Sequence, residues 1–130
     1  MKRQAPSAPI VTALTTAPSA EAAKRLVRAL VERRLIACGT VLPGAVSTYW
    51  WQGAVAEEEE VVVMMKTTAA RWPELAATLP GLHPYEVPEL IALPVADGLR
   101  PYLEWVRAET QGRAGKRARP RTAGKRSRKG

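Results

Sequence analysis

The sequence holds one imidazole and one thiol that could hold or activate a ligand, His83 and Cys38. His83 stands in LHPYEVPEL, residues 82–90, beside Glu86 and Glu89. Pro84 and Pro88 fix their own φ and push the residues before them toward extended backbone, so the histidine sits in a stiff frame. Imidazole, thiolate and carboxylate together make a ligand set suited to copper or zinc. Each residue also has a plainer reading. His83 can be a turn residue with its ring bonded to backbone. Cys38, in LIACGT, can be a small buried hydrophobe, as free cysteines usually are. The two lie 45 positions apart, so a shared site depends on tertiary or intersubunit geometry.

The signatures of other chemistries are missing from the sequence. Neither a G-x-G-x-x-G turn nor a P-loop can be written onto it, and it has no G-x-S-x-G elbow. One cysteine excludes zinc-finger spacing and an intrachain disulfide, and it suits a reducing cytoplasm. No base or oxyanion donor accompanies the thiol, so an enzyme is not expected. The opening residues MKRQAPSAPI lack the apolar stretch of a secretory signal, and no apolar run reaches the roughly 18 residues of a membrane span.

The elements that must position these side chains follow from periodicity. Ile10 to Thr16 reads as a strand stopped by Pro18. Ser19 is placed to cap a helix in which Ala23, Leu26, Val27, Leu30 and Val31 repeat at helical spacing, while Lys24, Arg25, Arg28 and Glu32 face water. An extended stretch from Ile36 to Trp51 is broken at Pro43–Gly44, where a proline in a strand implies a bulge or bend. Gln52–Gly53 and the acidic run Glu57–Glu60 mark a hairpin connection, with the run itself a solvated face. The chain returns through VVVMMKTT. A helix over about Arg71–Leu79, a strand PELIALPV and a short helix RPYLEWVRAE with Leu103 and Val106 inward complete the order. The pattern predicts an α+β, ferredoxin-like βαββαβ plan with an extra C-terminal helix.

That plan leaves a sheet face unaccounted for. Val61–Met65 is apolar at every position, so both of its faces should be buried. Trp50 and Trp51 are adjacent in a strand and must point to opposite sides, one of them into the helix-side core. An apolar sheet face of this size marks an interface, and the pattern predicts a homo-oligomer.

The formal net charge of +8 is unevenly placed. Residues 10–110 form the expected domain and carry nine Lys/Arg against twelve Asp/Glu, whereas residues 111–130 carry nine Lys/Arg and no acid. Residues 1–9 and 111–130 are expected to be disordered, the latter from their composition. The basic tail is expected to give weak, salt-sensitive contact with nucleic acid or other polyanions.

LIAC, LPGAVSTYWWQG, VVVMMKTT, HPYEVPELIALPV and YLEW, in this order from about Val11 to Trp105, resemble the divalent-cation tolerance family CutA. The S-x-Y-x-W-x-G segment (Ser47, Tyr49, Trp51, Gly53) and HPYEVPE are the most specific. The resemblance implies a ferredoxin-like fold in a tight, PII-like homotrimer, which would cover the bare sheet face. It implies a cytoplasmic, non-enzymatic protein that binds Cu(II) or another divalent metal through Cys38 and His83, with Glu89 as a further ligand. Two departures stand out: the family's ACVN is ACGT here, which places Thr40 where asparagine is usual. Leu82 stands where some copper-binding members have a second histidine. The other functions open at this point are a PII-like sensor of a small ligand in intersubunit clefts and a scaffold for protein partners.

Overall fold

A computed structural model describes residues 8–112. Residues 1–7 and 113–130, which hold most of the expected terminal segments, lie outside the described residues. The order is β1 (Ile10–Ala17), α1 (Ala20–Glu32), β2 (Cys38–Trp51), β3 (Ala54–Thr68), α2 (Trp72–Leu82), β4 (Ile91–Pro94) and α3 (Arg100–Glu109). The four strands form an antiparallel sheet in the order β2-β3-β1-β4. This is the ferredoxin-like arrangement with an added C-terminal helix.

α1 starts where its capping residue requires. Ser19 is extended, and its Oγ accepts the Ala22 N–H at 3.1 Å, while Glu21 places a carboxylate in the positive first turn. Ala23, Leu26 and Leu30 then face the sheet and pack with Leu75 and Leu79 of α2 on Ala13, Ala17, Val61, Val63 and Met65. Val31, expected on the same stripe, lies at its edge and is exposed. Gly39 permits the close seating of this helix: a Cβ there would lie 2.8 and 2.9 Å from the two methyls of Val27. Val27 thus fills the space that a side chain at residue 39 would take.

Three boundaries differ from the expected ones. α2 continues past Leu79 to Leu82, because Pro80 stands in its last turn and removes only one helical hydrogen bond there. β4 is confined to Ile91–Pro94, since the carbonyl of Glu89 is taken by the Thr15 hydroxyl rather than by a strand ladder. The hairpin turn is Gln52–Gly53 alone, both at positive φ (51° and 82°), and Glu57–Glu60 lies within β3.

α3 does not join the other helices. It packs Val106, Leu103 and Trp105 on Ile10, Ala37 and Val95, and Ile10 alternates with the residues that face α1. α3 therefore covers one end of the opposite sheet face. Among the described residues nothing covers the rest of that face. Val61, Val63 and Met65 are buried, but Val62 and Met64 are only half-buried, and Leu42, Ile91 and Leu93 are exposed.

Beyond the Ala17–Val61 pair β1 ends, and Ala45–Trp51 runs on with Ala54–Glu60 as a two-stranded ribbon. The predicted irregularity at Pro43–Gly44 is a bulge: β2 advances three residues from Leu42 to Ala45 while β3 advances two, from Val62 to Glu60. Gly44 takes φ 93°, which glycine reaches without Cβ strain. Neither tryptophan fills the helix-side core as expected. Trp50 is 74% and Trp51 42% exposed, because both lie past the end of the helix layer.

Candidate functional site

His83 sits at the C-cap of α2, extended by the proline that follows it (φ −93°, ψ 140°). Its ring is buried. The Tyr85 backbone N–H donates to Nδ1 at 3.0 Å, so Nδ1 carries no proton. Nε2 therefore bears the hydrogen and donates it to the Thr16 carbonyl at 2.7 Å. The ring joins the end of α2 to the end of β1. The plainer reading of the residue, a ring bonded to backbone, describes this geometry.

The network continues beyond the histidine. The Tyr85 ring lies 4.9 Å from that of His83, and its hydroxyl donates to Glu60 Oε2 at 2.6 Å. Glu60 is only 7% exposed, whereas Glu57, Glu58 and Glu59 are exposed as a solvated run should be. β1 stops one residue pair short of Glu60, and Tyr85 fills the place beside it. Sequence reasoning missed Glu60 and Tyr85. The tyrosine two residues after the histidine was the available signal, but nothing local marks which of four glutamates it reaches.

Burial, followed by the hydrogen bond to Glu60 and the charge of that carboxylate, pushes the Tyr85 phenol well above its ordinary value near 10. Folding therefore favours the protonated phenol. The stabilisation is complete below pH 10 and is lost as the pH rises toward the folded value. In an alkaline titration followed by phenolate absorbance, the Tyr85 phenol should ionise late and together with unfolding. Tyr85→Phe should remove that step and leave Glu60 short of its donor, at a cost of about 1–3 kcal/mol.

Cys38 opens β2 and is half-buried, with Sγ 3.4 Å from the Tyr102 hydroxyl of α3. Glu86 and Glu89 are exposed, and Glu89 engages the fold through its carbonyl rather than its carboxylate. Cys38 aligns with Lys66 and, across β3, with Thr12. Thr16, which holds His83, is four residues further along β1, about 13 Å at the usual strand rise. Ligand atoms about 2 Å from one ion cannot span that gap. Among the described residues no group of three or more His, Cys, Asp or Glu is placed to hold a metal ion. A site using both Cys38 and His83 therefore has to be built between chains.

Residues 11–109 match the family model described as CutA1 divalent ion tolerance protein. The divalent-cation tolerance protein CutA of Thermus thermophilus is 48% identical over 97 residues, covering 75% of this chain and 94% of the relative. Protein CutA of Homo sapiens is 44% identical over 102 residues, which span 78% of this chain but only 57% of the human protein. Among solved structures, the Thermus thermophilus tolerance protein aligns over 78% of this chain and 99% of its own, with TM-score 0.76 at 46% identity. CutA1 from Oryza sativa gives TM-score 0.78 at 36% identity over 81% of this chain and 96% of that one. A similar structure from Archaeoglobus fulgidus, 29% identical over 78% of this chain and 99% of its own with TM-score 0.75, is described as a periplasmic divalent cation tolerance protein. No helix among the described residues is long and apolar enough to cross a membrane. The match across nearly all of the folded residues, in sequence and in backbone, makes this chain a member of the CutA1 divalent ion tolerance family.

Proposed function

We propose that the chain works as a homotrimer that binds a divalent metal, Cu(II) foremost, as cargo in cation tolerance and without catalysing a reaction. One observation supports this reading above the others: an apolar sheet face and a two-stranded ribbon that the described residues leave uncovered. A ribbon of two strands is barely stable alone, and an exposed apolar sheet face calls for a partner surface. Three-fold closure brings repeated copies of each donor within reach of one another.

Cys38, His83 and Glu89 are the proposed ligands, with Cys38 leading. Its thiol lies 3.4 Å from the Tyr102 hydroxyl and stands at the α3-covered end of the open sheet face. His83 can offer a nitrogen only by giving up Thr16 or Tyr85, which weakens its share. Glu89 has an exposed carboxylate. We place the protein in the cytoplasm, where a lone thiol stays reduced. Residues 111–130 add weak contact with nucleic acid or another polyanion.

Copper titration with recorded proton release tests the site in the wild type, Cys38→Ala, His83→Ala and Glu89→Gln. Thiolate ligation releases a proton and weakens on acidification. Cys38→Ala should lower affinity at least tenfold and abolish most of that release. Equal binding by all four proteins would remove the site.

A second reading has its own support. The buried carboxylate of Glu60 and the Tyr85 hydroxyl stand at the root of the ribbon, beside the open sheet face. Such a wall suits a small polar ligand between subunits, as in a PII-like sensor. A melting-temperature screen of metabolites and nucleotides separates the readings, since a ligand selective for the native trimer raises its Tm.

A further inference from the structure

Among the strand residues, only Glu58, Glu60 and Lys66 carry charge onto the open sheet face, and all three lie on β3. They alternate with the buried row Val61, Val63 and Met65, on the same side as Val62 and Met64. Lys66 is half-buried between Thr12 and Cys38, at the end of the face nearest α3. It has no acidic partner among the described ion pairs. Glu60 is buried at the other end. Its Oε2 accepts the Tyr85 hydroxyl, and among the described hydrogen bonds Oε1 accepts none. Six positions separate Lys66 from Glu60 along one strand, about 20 Å, so the two cannot meet within a chain.

We infer that Lys66 of one subunit pairs with Glu60 of the next across the closed sheet face, a head-to-tail contact that sets the register of assembly. The pair rests on the homotrimer reading above and supplies the polar contact within its apolar interface. Each group alone has an unmet need. An ammonium enclosed on an apolar face is strongly unfavourable unless a counter-charge is enclosed with it. A buried carboxylate offers two oxygens, and the Tyr85 phenol engages only one of them. A second copy of the chain is the occupant because its charges are complementary, bringing a carboxylate to the cation at one end and a cation to the carboxylate at the other. A closed ring of three requires such an unlike pair, since each of its interfaces joins two different patches. The contact also bears on the metal donors. Cys38 is the cross-strand neighbour of Lys66, while the His83 ring lies against Tyr85, which holds Glu60. Joining Lys66 to Glu60 therefore carries Cys38 of one subunit toward His83 of the next, which the register forbids within a single chain.

Carbodiimide coupling of the full chain, with light scattering and tryptic mass mapping, tests the contact. The reagent joins a lysine amine to a carboxylate without a spacer, so only touching groups react. Lys66 and Glu60 fall on one tryptic segment, residues 35–66. A product that holds this segment twice, linked from Lys66 to Glu60, can come only from two chains. The wild type should have the mass of three chains and give this product. Glu60→Gln, which keeps an acceptor for the Tyr85 hydroxyl, should not give it. Lys66→Met and Glu60→Gln should each weaken assembly on dilution at least tenfold, with unchanged circular dichroism. The double variant should be no weaker than the weaker single, because the two side chains then act as one pair. A trimer without the link from Lys66 to Glu60, or single effects that multiply in the double variant, would overturn the inference and leave the homotrimer standing. Any other mass for the wild type would overturn both.

Discussion

Light scattering on the full chain should return the mass of three chains at micromolar concentration, and on Met64→Glu the mass of one. Met64 pairs with Leu14 on one side and Thr40 on the other, in the middle of the sheet face that α3 leaves uncovered. Leu42, Ile91, Leu93 and the half-buried Leu14 and Val62 surround it. Burying one such side chain contributes about 1.5–3 kcal/mol, and a buried unpaired carboxylate costs several more. The substitution should therefore weaken assembly by well over a hundredfold. Met64→Leu keeps volume and polarity and should stay trimeric. A wild-type chain that unfolds cooperatively as a monomer would refute the interface. A trimeric Met64→Glu would move it to another surface.

The second large effect concerns the histidine. His83→Ala should destabilise the protein by about 2–5 kcal/mol, whether or not metal is present. The loss has two parts. The Thr16 carbonyl and the Tyr85 amide each lose their partner, and the joint between α2 and β1 opens. Tyr85 then swings free of Glu60, which leaves a buried carboxylate without its donor. Denaturant unfolding with and without a chelator measures the effect. An unchanged midpoint, with metal affinity lost, would make His83 a ligand first and a joint second.

The parts of the fold fixed by local chemistry were legible. Ser19 and the Ala23–Leu30 spacing define α1 at both levels, and Pro43–Gly44 announced its bulge. The uncovered sheet face could be read from Val61–Met65, since alternation is a property of the strand itself. Other features depend on meetings between distant segments. Nothing local relates Cys38 to His83, and only the register shows them four residue rows apart within one chain. Glu60 looked like its neighbours because its burial comes from Tyr85, 25 positions away. Trp50 and Trp51 were read correctly as a pair facing opposite ways, but only topology shows that β1 and the helices end before reaching them.

The bulge at Pro43–Gly44 has a consequence for how this chain could vary. Counting by twos from Leu42 would put Trp50 on the side of Leu42, but the extra residue reverses the count and puts Trp51 there. Removing one residue at 43–44 would not slide the strand. Leu42 would still meet Val62 and Ala45 would still meet Glu60, so every pair in the ribbon would survive. What would change is the angle at which the ribbon leaves the sheet, because the added bend and twist belong to the bulge. Chain length at this point therefore acts as a wrist between the body of the subunit and its arm. A single inserted or deleted residue re-aims the two tryptophans at a neighbour without disturbing the fold that carries them.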